Sequence, residues 1–362
     1  MRLCQTITNY LKRSSFFLPI LDTNNYLHLR TRYIERTLSE SNEIITTTAL
    51  FRKSPLVLIQ GEGGLGKSTL LITEYEKYKK ALLDLVMNNA EQDFLNNKNT
   101  MLLIPLFIPL RKYKSGCNHQ YTIITCLLNA LQQAMPDGTM VDQQLITLHE
   151  CLRSLAPYQY RFVLFLDAYD EMLSNERLNF HEELNGLIKK MNGHFDVFIT
   201  SRCAMSDKPA TLVTVELNPL TPNDVYNVLN NENRIRAGKH QQVIPLPQED
   251  TSLFQMIRNP QNLAMYTSLH GEKYRDFGDA DYREQIETMG DLIWNFSVSD
   301  FFNKYPCVAI GTDKYTAFTF MQLYILPYIA YRLQCKNLKE NSNTDFFTRA
   351  EIADACKEFK QY

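Results

Sequence analysis

The chain has 362 residues, of which 44% are hydrophobic and 22% are charged. This composition excludes a disordered or fibrous chain, and the length is sufficient for two or three compact units with substantial cores. Thirty-eight basic and 40 acidic residues give a net charge of −2, so no excess of positive charge points to nucleic acid or to an anionic membrane surface.

Cysteine usage and hydropathy indicate the compartment. Eight cysteines are scattered with no CxxC pair and no metal-ligand spacing, which predicts reduced thiols in a cytoplasmic protein. No uninterrupted apolar span reaches membrane length, so no transmembrane segment is predicted, and the N-terminus lacks a signal-peptide pattern.

The segment Leu11 to Leu21 is basic and then apolar. It either contacts a membrane or a partner or packs on its own domain, and packing is favoured.

Residues 1–50 form a lead-in segment that is too short for a separate effector domain. The apolar run from Leu56 to Ile59 then has the composition of a buried parallel strand, and Ser68 to Lys80 is rich in helix formers without Gly or Pro. The loop between them is glycine-rich and reads Gly61, Glu62, Gly63, Gly64, Leu65, Gly66, Lys67, Ser68 and Thr69. A strand that enters a helix through such a loop is typical of a nucleoside-triphosphate site.

Each part of this loop has a predicted contact with nucleotide. The glycines let backbone N–H groups approach phosphate oxygens, and the N-terminus of the following helix adds partial positive charge. Lys67 is expected to reach the β- and γ-phosphates, and the Ser68 hydroxyl is expected to coordinate Mg²⁺. Thr69 is placed to donate to the α-phosphate.

The next elements complete the faces of a sheet. Asp84 to Thr100 is polar and predicts an exposed extension or loop, and Met101 to Leu110 predicts a second buried strand. Apolar residues at helical spacing predict packing helices over Thr122 to Met135 and Val141 to Leu155.

A third apolar strand, from Arg161 to Leu166, ends in a group of carboxylates. Because ligands bind beyond the C-terminal ends of parallel strands, Asp167 is expected to face the glycine-rich loop and to hold Mg²⁺. Asp170 or Glu171 is placed to orient or deprotonate an attacking water, with neither preferred. The alternative is a polar turn after a strand.

A helix over Asn175 to Met191 leads to the strand Phe195 to Ser201, which ends at Arg202. Arg202 either senses the γ-phosphate or forms a structural ion pair with a neighbouring carboxylate, and the phosphate role is favoured. A last short strand over Thr211 to Leu217 precedes an all-helical region. Its predicted helices are Asp224–Leu229, Thr251–Ile257, Asn262–Leu269, Glu284–Val298, Leu323–Leu333 and Thr348–Phe359.

These motifs together resemble the NACHT family of STAND-type signalling NTPases. Gly61 to Thr69 fit GxxGxGKST, the segment Leu166 to Glu171 is similar to the family's extended Walker B motif, and Thr200 to Arg202 is similar to its sensor 1. Weaker similarities are Tyr33 and Ile34, the stretch Pro105 to Arg111, and Asn259 and Pro260 followed by Leu263. The resemblance is specific in the first half of the chain and weaker after Leu220.

The resemblance implies an α/β P-loop NTPase fold with a parallel central sheet, followed by a helical domain and a partial winged-helix domain. The expected boundaries are 51–217 for the nucleotide-binding domain, 218–280 for the helical domain and 281–362 for an incomplete winged-helix-like domain. ATP or ADP would bind with Mg²⁺, with Pro260 against the base. The family also carries an effector domain, a repeat sensor and a winged-helix histidine, and none of the three is evident here.

The resemblance further implies a switch used in signal transduction, innate immunity included. The ADP form would be closed, the ATP form would associate with itself or with a protein partner, and slow hydrolysis would act as a timer. Two alternatives stay open. One is a metabolic or nucleic-acid-linked P-loop NTPase, although the guanine-specific Asn-Lys-x-Asp motif is not found. The other is a nucleotide-binding scaffold that does not hydrolyse.

Overall fold

The computed structural model of the chain describes residues 7, 9–11, 36–40, 43–46, 50, 55–88, 101–115, 121–131, 141–152, 159–190, 194–205, 209, 211–240, 243–270, 288, 290–293, 296, 326–340, 350, 353, 354 and 357. The described residues fall into two compact units. One lies within Met1–Val225 and Arg258–Ala264, and the other within Tyr226–Ile257 and Met265–Tyr362.

The first unit is built on a seven-stranded sheet. The strands are β1 Thr37–Glu40, β2 Glu43–Thr46, β3 Leu56–Gln60, β4 Met101–Pro109, β5 Gln159–Asp167, β6 Phe195–Ser201 and β7 Val213–Leu217. Their order across the sheet is β2-β1-β7-β3-β6-β5-β4. Strands β7, β3, β6, β5 and β4 run parallel, whereas β1 pairs antiparallel with both β7 and β2. The fold is a mixed α/β, P-loop NTPase-like fold.

Strand β6 lies between β3 and β5. In this register Ile59 of β3 pairs with Thr200, and Leu166 of β5 pairs with Ile199. The chain segments that follow these three strands therefore emerge side by side at one edge of the sheet, which is where α/β proteins bind ligands.

Alternation of side chains along the strands produces a core on each face of the sheet. Leu58, Leu164 and Ile199 point to one face, where they pack with apolar residues of the helices over Ile123–Ala130 and Arg177–Lys190. Val57, Phe165 and Phe198 point to the other face and pack under the helix that starts at Lys67. Burial on both faces explains why these strands are continuous apolar runs in the sequence.

Eight helices of more than one turn are described. They are α1 Lys67–Asn88, α2 Ile123–Ala130, α3 Val141–Leu152, α4 Arg177–Lys190, α5 Pro222–Ala237, α6 Ser252–Ile257, α7 Pro260–Leu269 and α8 Leu326–Glu340. Shorter 3-10 turns follow β4 at Leu110–Lys112 and β5 at Tyr169–Glu171. None of the helices in the described part of the chain is long and apolar enough to cross a membrane.

The strands β3 to β7 and their order along the chain match the elements expected from the sequence, and three expectations need correction. The lead-in contributes β1 and β2 to the sheet, although neither was predicted. Helix α1 continues to Asn88, so the first residues of the stretch predicted from Asp84 as an exposed extension or loop are helical, and Val86 among them is buried. Helix α5 extends to Ala237, eight residues beyond the predicted end at Leu229.

Several expectations fall outside the described residues or reach them only in part. Ile7, Tyr10 and Leu11 are buried in the core of the first unit, but the rest of the segment Leu11 to Leu21 is outside the described residues. The same holds for 89–100 and for most of the helices predicted over 284–298 and 348–359. The winged-helix-like domain expected over 281–362 is therefore described only at α8 and a few further positions.

Candidate functional site

The glycine-rich loop joins β3 to α1 in the geometry that the motif predicts. Strand β3 ends at Gln60 and α1 begins at Lys67. Gly64 and Gly66 have φ angles of 80° and 89°, a left-handed conformation in which a side chain would be strained. A chain with other residues at these two positions would not close the same tight loop.

The Lys67 amine lies inside this loop. It donates to the carbonyl oxygens of Gly61 at 2.6 Å and Glu62 at 2.8 Å. Burial lowers the pKa of Lys67, and the nearby Asp170 carboxylate partly offsets that effect. The Lys67 ammonium group is therefore half-buried and held at the loop by two short hydrogen bonds, in a position where it would exchange carbonyl partners for an incoming anion.

Asp167 of β5 lies directly across from the start of α1. Its Oδ1 accepts a hydrogen bond from the Ser68 hydroxyl at 3.0 Å and one from the Thr200 hydroxyl at 2.7 Å. The fold thus brings together the two oxygen groups expected to hold Mg²⁺, although they are separated by 99 positions in the chain. As a result, Lys67 and Asp167 lie together at the C-terminal ends of the parallel strands.

The environment of Asp167 fits a hard cation. The residue is 6% exposed, and burial raises the pKa of its carboxyl while the hydrogen bonds from Thr200 and Ser68 lower it. A buried carboxylate with few positive neighbours is stabilised when a cation neutralises its charge. Mg²⁺ typically takes one or two protein oxygens and completes its shell with phosphate and water, so Ser68 and Asp167 are a suitable pair of ligands.

A tight turn after Asp167 determines where the other acids point. Ala168 has φ 63° and ψ 61°, a left-handed conformation that costs a small residue less than a branched one. Its N–H donates to the Thr200 hydroxyl at 2.8 Å. The turn buries the Tyr169 ring in the core and leaves Asp170 and Glu171 at the site.

Arg202 lies against both of these acids. Its backbone N–H donates to Asp170 Oδ1 at 2.9 Å and its Nε is 3.2 Å from Asp170 Oδ2, while its Nη2 donates to Glu171 Oε1 at 2.8 Å. The ion pair that the sequence allowed as an alternative is therefore present. More than half of the Arg202 side chain is exposed, so the pair contributes little stability and its guanidinium is able to move.

The remaining predicted site residues surround the loop. Glu62, Gly63 and Thr69 are exposed, whereas Leu65 is buried and anchors the loop in the core. Pro260 is the first residue of α7, a position that suits proline because its missing N–H has no helical partner. Its neighbours Asn259 and Gln261 contact the loop, so Pro260 lies next to the loop.

Three residues at the site were not predicted as site residues. Thr200 links Asp167 to Ala168, Arg36 donates to the Leu65 carbonyl at 2.6 Å, and Asn259 donates to the Gly63 carbonyl at 2.8 Å. Thr200 could have been found, because a hydroxyl at the end of a central buried strand needs a polar partner. Asn259 belonged only to a weaker family similarity, which did not predict its contact with the loop, and Arg36 was not singled out at all. Each contacts the loop from a distant part of the chain.

Comparison with known proteins gives two findings. A family model described as Nephrocystin 3, N-terminal, matches residues 37–202, which run from β1 to Arg202 and include the loop and all three acids. The solved structure of C. elegans PCH-2 matches with 11% sequence identity and a TM-score of 0.30, over 83% of this chain and 68% of that chain. No curated protein matches the chain. The family match agrees with a P-loop NTPase-like region over this part of the chain.

Proposed function

We propose that this chain is a NACHT-type, nucleotide-dependent switch that binds ATP or ADP with Mg²⁺ and hydrolyses ATP slowly. The observation that carries the proposal is the 3.0 Å hydrogen bond from the Ser68 hydroxyl to Asp167 Oδ1, next to the Lys67 amine. The two oxygen groups proposed to hold the cation and the amine proposed to bind phosphate thus follow parallel strands of the sheet, at their C-terminal ends.

The residues have distinct roles in this proposal. Backbone N–H groups of Gly61 to Thr69 and the Lys67 amine bind the phosphates, and Ser68 and Asp167 hold Mg²⁺, which when bound neutralises phosphate charge. Glu171 or Asp170 orients the attacking water, and Arg202 senses the γ-phosphate. Pro260 contacts the base.

The regulatory part of the proposal comes from the resemblance and from the position of Arg202. A guanidinium that leaves two carboxylates to reach a γ-phosphate would change the end of β6 with the state of the nucleotide. Self-association or binding of a protein partner, in signalling or in innate immunity, would be the output. Helical and winged-helix domains over 218–280 and 281–362 belong to the same proposal.

The test is a titration of the purified chain with a fluorescent ATP analogue in the presence and absence of Mg²⁺. We expect Lys67→Ala to abolish binding, because the backbone N–H groups alone do not neutralise the γ-phosphate. Asp167→Asn should remove most of the gain in affinity that Mg²⁺ gives to the wild-type chain, since an amide is a poor ligand for a hard cation.

Lys80→Ala is the matched control, because Lys80 is an exposed lysine on the same helix and far from the loop. It should bind the analogue as the wild type does. Native affinity in Lys67→Ala, or an Asp167→Asn variant with unchanged dependence on Mg²⁺, would contradict the proposed site.

A non-hydrolysing scaffold is the second candidate, and the Arg202 ion pairs favour it. Both acids that could activate water are engaged by one guanidinium. If the pairs persist with ATP bound, neither acid is available as a base. Phosphate release separates the candidates: the double variant Asp170→Asn, Glu171→Gln should stop turnover in a hydrolase and should change nothing in a scaffold.

A further inference from the structure

Every backbone carbonyl from Gly61 to Gly66 accepts a hydrogen bond. Lys67 donates to the first two, and the Gly66 carbonyl accepts the N–H of Leu70 inside α1 at 2.8 Å. The three carbonyls between them, those of Gly63, Gly64 and Leu65, take their donors from outside the loop.

The three outside donors come from two distant segments. Asn259 Nδ2 donates to the Gly63 carbonyl at 2.8 Å, and the Gln261 N–H donates to the Gly64 carbonyl at 3.2 Å. Arg36 Nη1 donates to the Leu65 carbonyl at 2.6 Å. Arg36 is 6% exposed and its Nη2 also donates to the carbonyl of Asn218, directly after β7. The loop is thereby tied to the end of β7 and to the start of α7.

These bonds determine the direction of the loop's N–H groups. In a trans peptide the C=O and the following N–H point in opposite directions. Donors that hold the carbonyls of Gly63, Gly64 and Leu65 therefore turn the N–H groups of Gly64, Leu65 and Gly66 away from the donors. Successive backbone N–H groups of a loop of this kind are the groups that bind phosphate oxygens.

Asn259 and Gln261 also pack closely against the glycine-rich loop, in addition to their hydrogen bonds. A Cβ atom on Gly64 would lie 2.6 Å from Asn259 Oδ1 and 2.9 Å from Gln261 Cβ, whereas a Cβ on Gly63 would meet nothing within 4 Å. The start of α7 thus packs on the loop at Gly64, where only glycine leaves room. Asn259 also accepts the Gln261 N–H through Oδ1 at 3.0 Å, which fixes the side chain that reaches Gly63.

We propose that Asn259, the Gln261 N–H and Arg36 form a brace that holds the loop's peptide planes in their phosphate-binding orientation, so that Asn259 and Arg36 are positioning residues for the phosphates. The brace would act on the phosphates and not on the base. This inference rests on the proposed function, since it specifies how the same loop recognises a diphosphate group.

The test compares Mg²⁺-pyrophosphate, which has no base, with Mg²⁺-ADP in calorimetric titrations of the whole chain. Loss of one hydrogen bond that orients the loop is expected to weaken binding about 3- to 10-fold in Asn259→Ala. The factor should be the same for pyrophosphate and for ADP. Asn259→Asp keeps the acceptor for the Gln261 N–H but removes the donor to Gly63, and it should lose at least as much affinity.

Thr122→Ala is the control for general loss of stability. Thr122 caps α2 through a hydrogen bond from the Thr125 N–H, and α2 packs on the opposite face of the sheet from the start of α1. Its removal should lower the melting temperature and leave both affinities native. Arg36→Lys serves as a second variant, since a lysine cannot donate to Leu65 and Asn218 with the same two-pronged geometry.

The outcomes separate the brace from the proposed function. If the wild type binds both ligands and Asn259→Ala binds both equally well, the brace is wrong and the nucleotide site stands. If Asn259→Ala loses affinity for ADP alone, Asn259 contacts the base and the brace is again wrong. If the wild type binds neither ligand, the proposed function fails and the brace fails with it.

Discussion

At the scale of single residues, Asp170 and Glu171 differ in how they meet Arg202. Asp170 is engaged through both carboxylate oxygens, one by the Arg202 N–H and the other by its Nε. Glu171 is engaged through Oε1 by the tip of the same guanidinium, and its side chain is more exposed. Movement of the Arg202 side chain would release Glu171 completely but would leave Asp170 bonded to the backbone. Glu171 is therefore the better placed base.

We predict that Glu171→Gln lowers ATP turnover by about 100-fold or more, the range for loss of a general base, while binding of Mg²⁺-ATP persists. Asp170→Asn should lower turnover less, because an asparagine still accepts the Arg202 N–H. Phosphate release under saturating ATP measures both variants. Equal losses, or a greater loss in Asp170→Asn, would assign the role to Asp170.

At the scale of elements, Glu183 of α4 joins two helices in the core. Its carboxylate accepts the N–H groups of Ile124 at 2.7 Å and Ile123 at 3.1 Å, at the start of α2, and the hydroxyl of Tyr113 at 2.9 Å. Glu183 is 6% exposed. Burial raises the pKa of its carboxyl, although these hydrogen bonds oppose the shift. The Glu183 carboxylate thus accepts hydrogen bonds from the N–H groups at the buried N-terminus of α2, which have no partner within that helix.

Glu183→Ala should lower the free energy of unfolding by about 2 to 4 kcal/mol, because it leaves several buried donors without their acceptor. Glu182→Ala, which removes an exposed acid one position away, should change it by less than about 0.5 kcal/mol. Urea unfolding followed by circular dichroism measures both. Similar effects of the two variants would show that the Glu183 contacts contribute little.

The contribution of Glu183 to the stability of the fold depends on pH, and its sign is definite. Since the native pKa of Glu183 is raised above its ordinary 4.5, the native state binds more protons than the unfolded chain above that pH. The stability that this group contributes is complete below pH 4.5 and is lost as pH rises through the native pKa. The difference between wild type and Glu183→Ala should therefore shrink as pH increases, and a growing difference would reverse the assignment.

Elements with a strong local pattern could be predicted from the sequence, and contacts between distant segments could not. The strand before Gly61 and the helix after Lys67 follow from apolar runs and from glycine spacing. Strands β1 and β2 were missed because each is only four residues long and has little apolar periodicity. Asn259 lies 196 positions from Gly63, so only the folded chain reveals that contact.

At the scale of the whole molecule, the sheet order determines which side chains lie next to the glycine-rich loop. Because β6 lies between β3 and β5, Thr200 and Arg202 lie between the glycine-rich loop and the acids that follow β5. Thr200 bonds to Asp167, and Arg202 bonds to Asp170 and Glu171. A phosphate that draws Arg202 away would change contacts at the ends of two strands at once.

Inverting a population from 1:99 to 99:1 requires about 5.5 kcal/mol of differential affinity. One charge-assisted hydrogen bond supplies about 1.5 to 3 kcal/mol, so Arg202 would provide only part of the switch, and other contacts with the γ-phosphate, such as the one proposed for Lys67, would have to add to it. In size-exclusion chromatography we expect the wild type to elute as a larger species with a slowly hydrolysed ATP analogue than with ADP. Arg202→Ala should bind both nucleotides and show a smaller shift, because the remaining contacts still favour the triphosphate form. Lys67→Ala should show none, and identical elution of the wild type in both nucleotides would exclude a switch that acts through assembly.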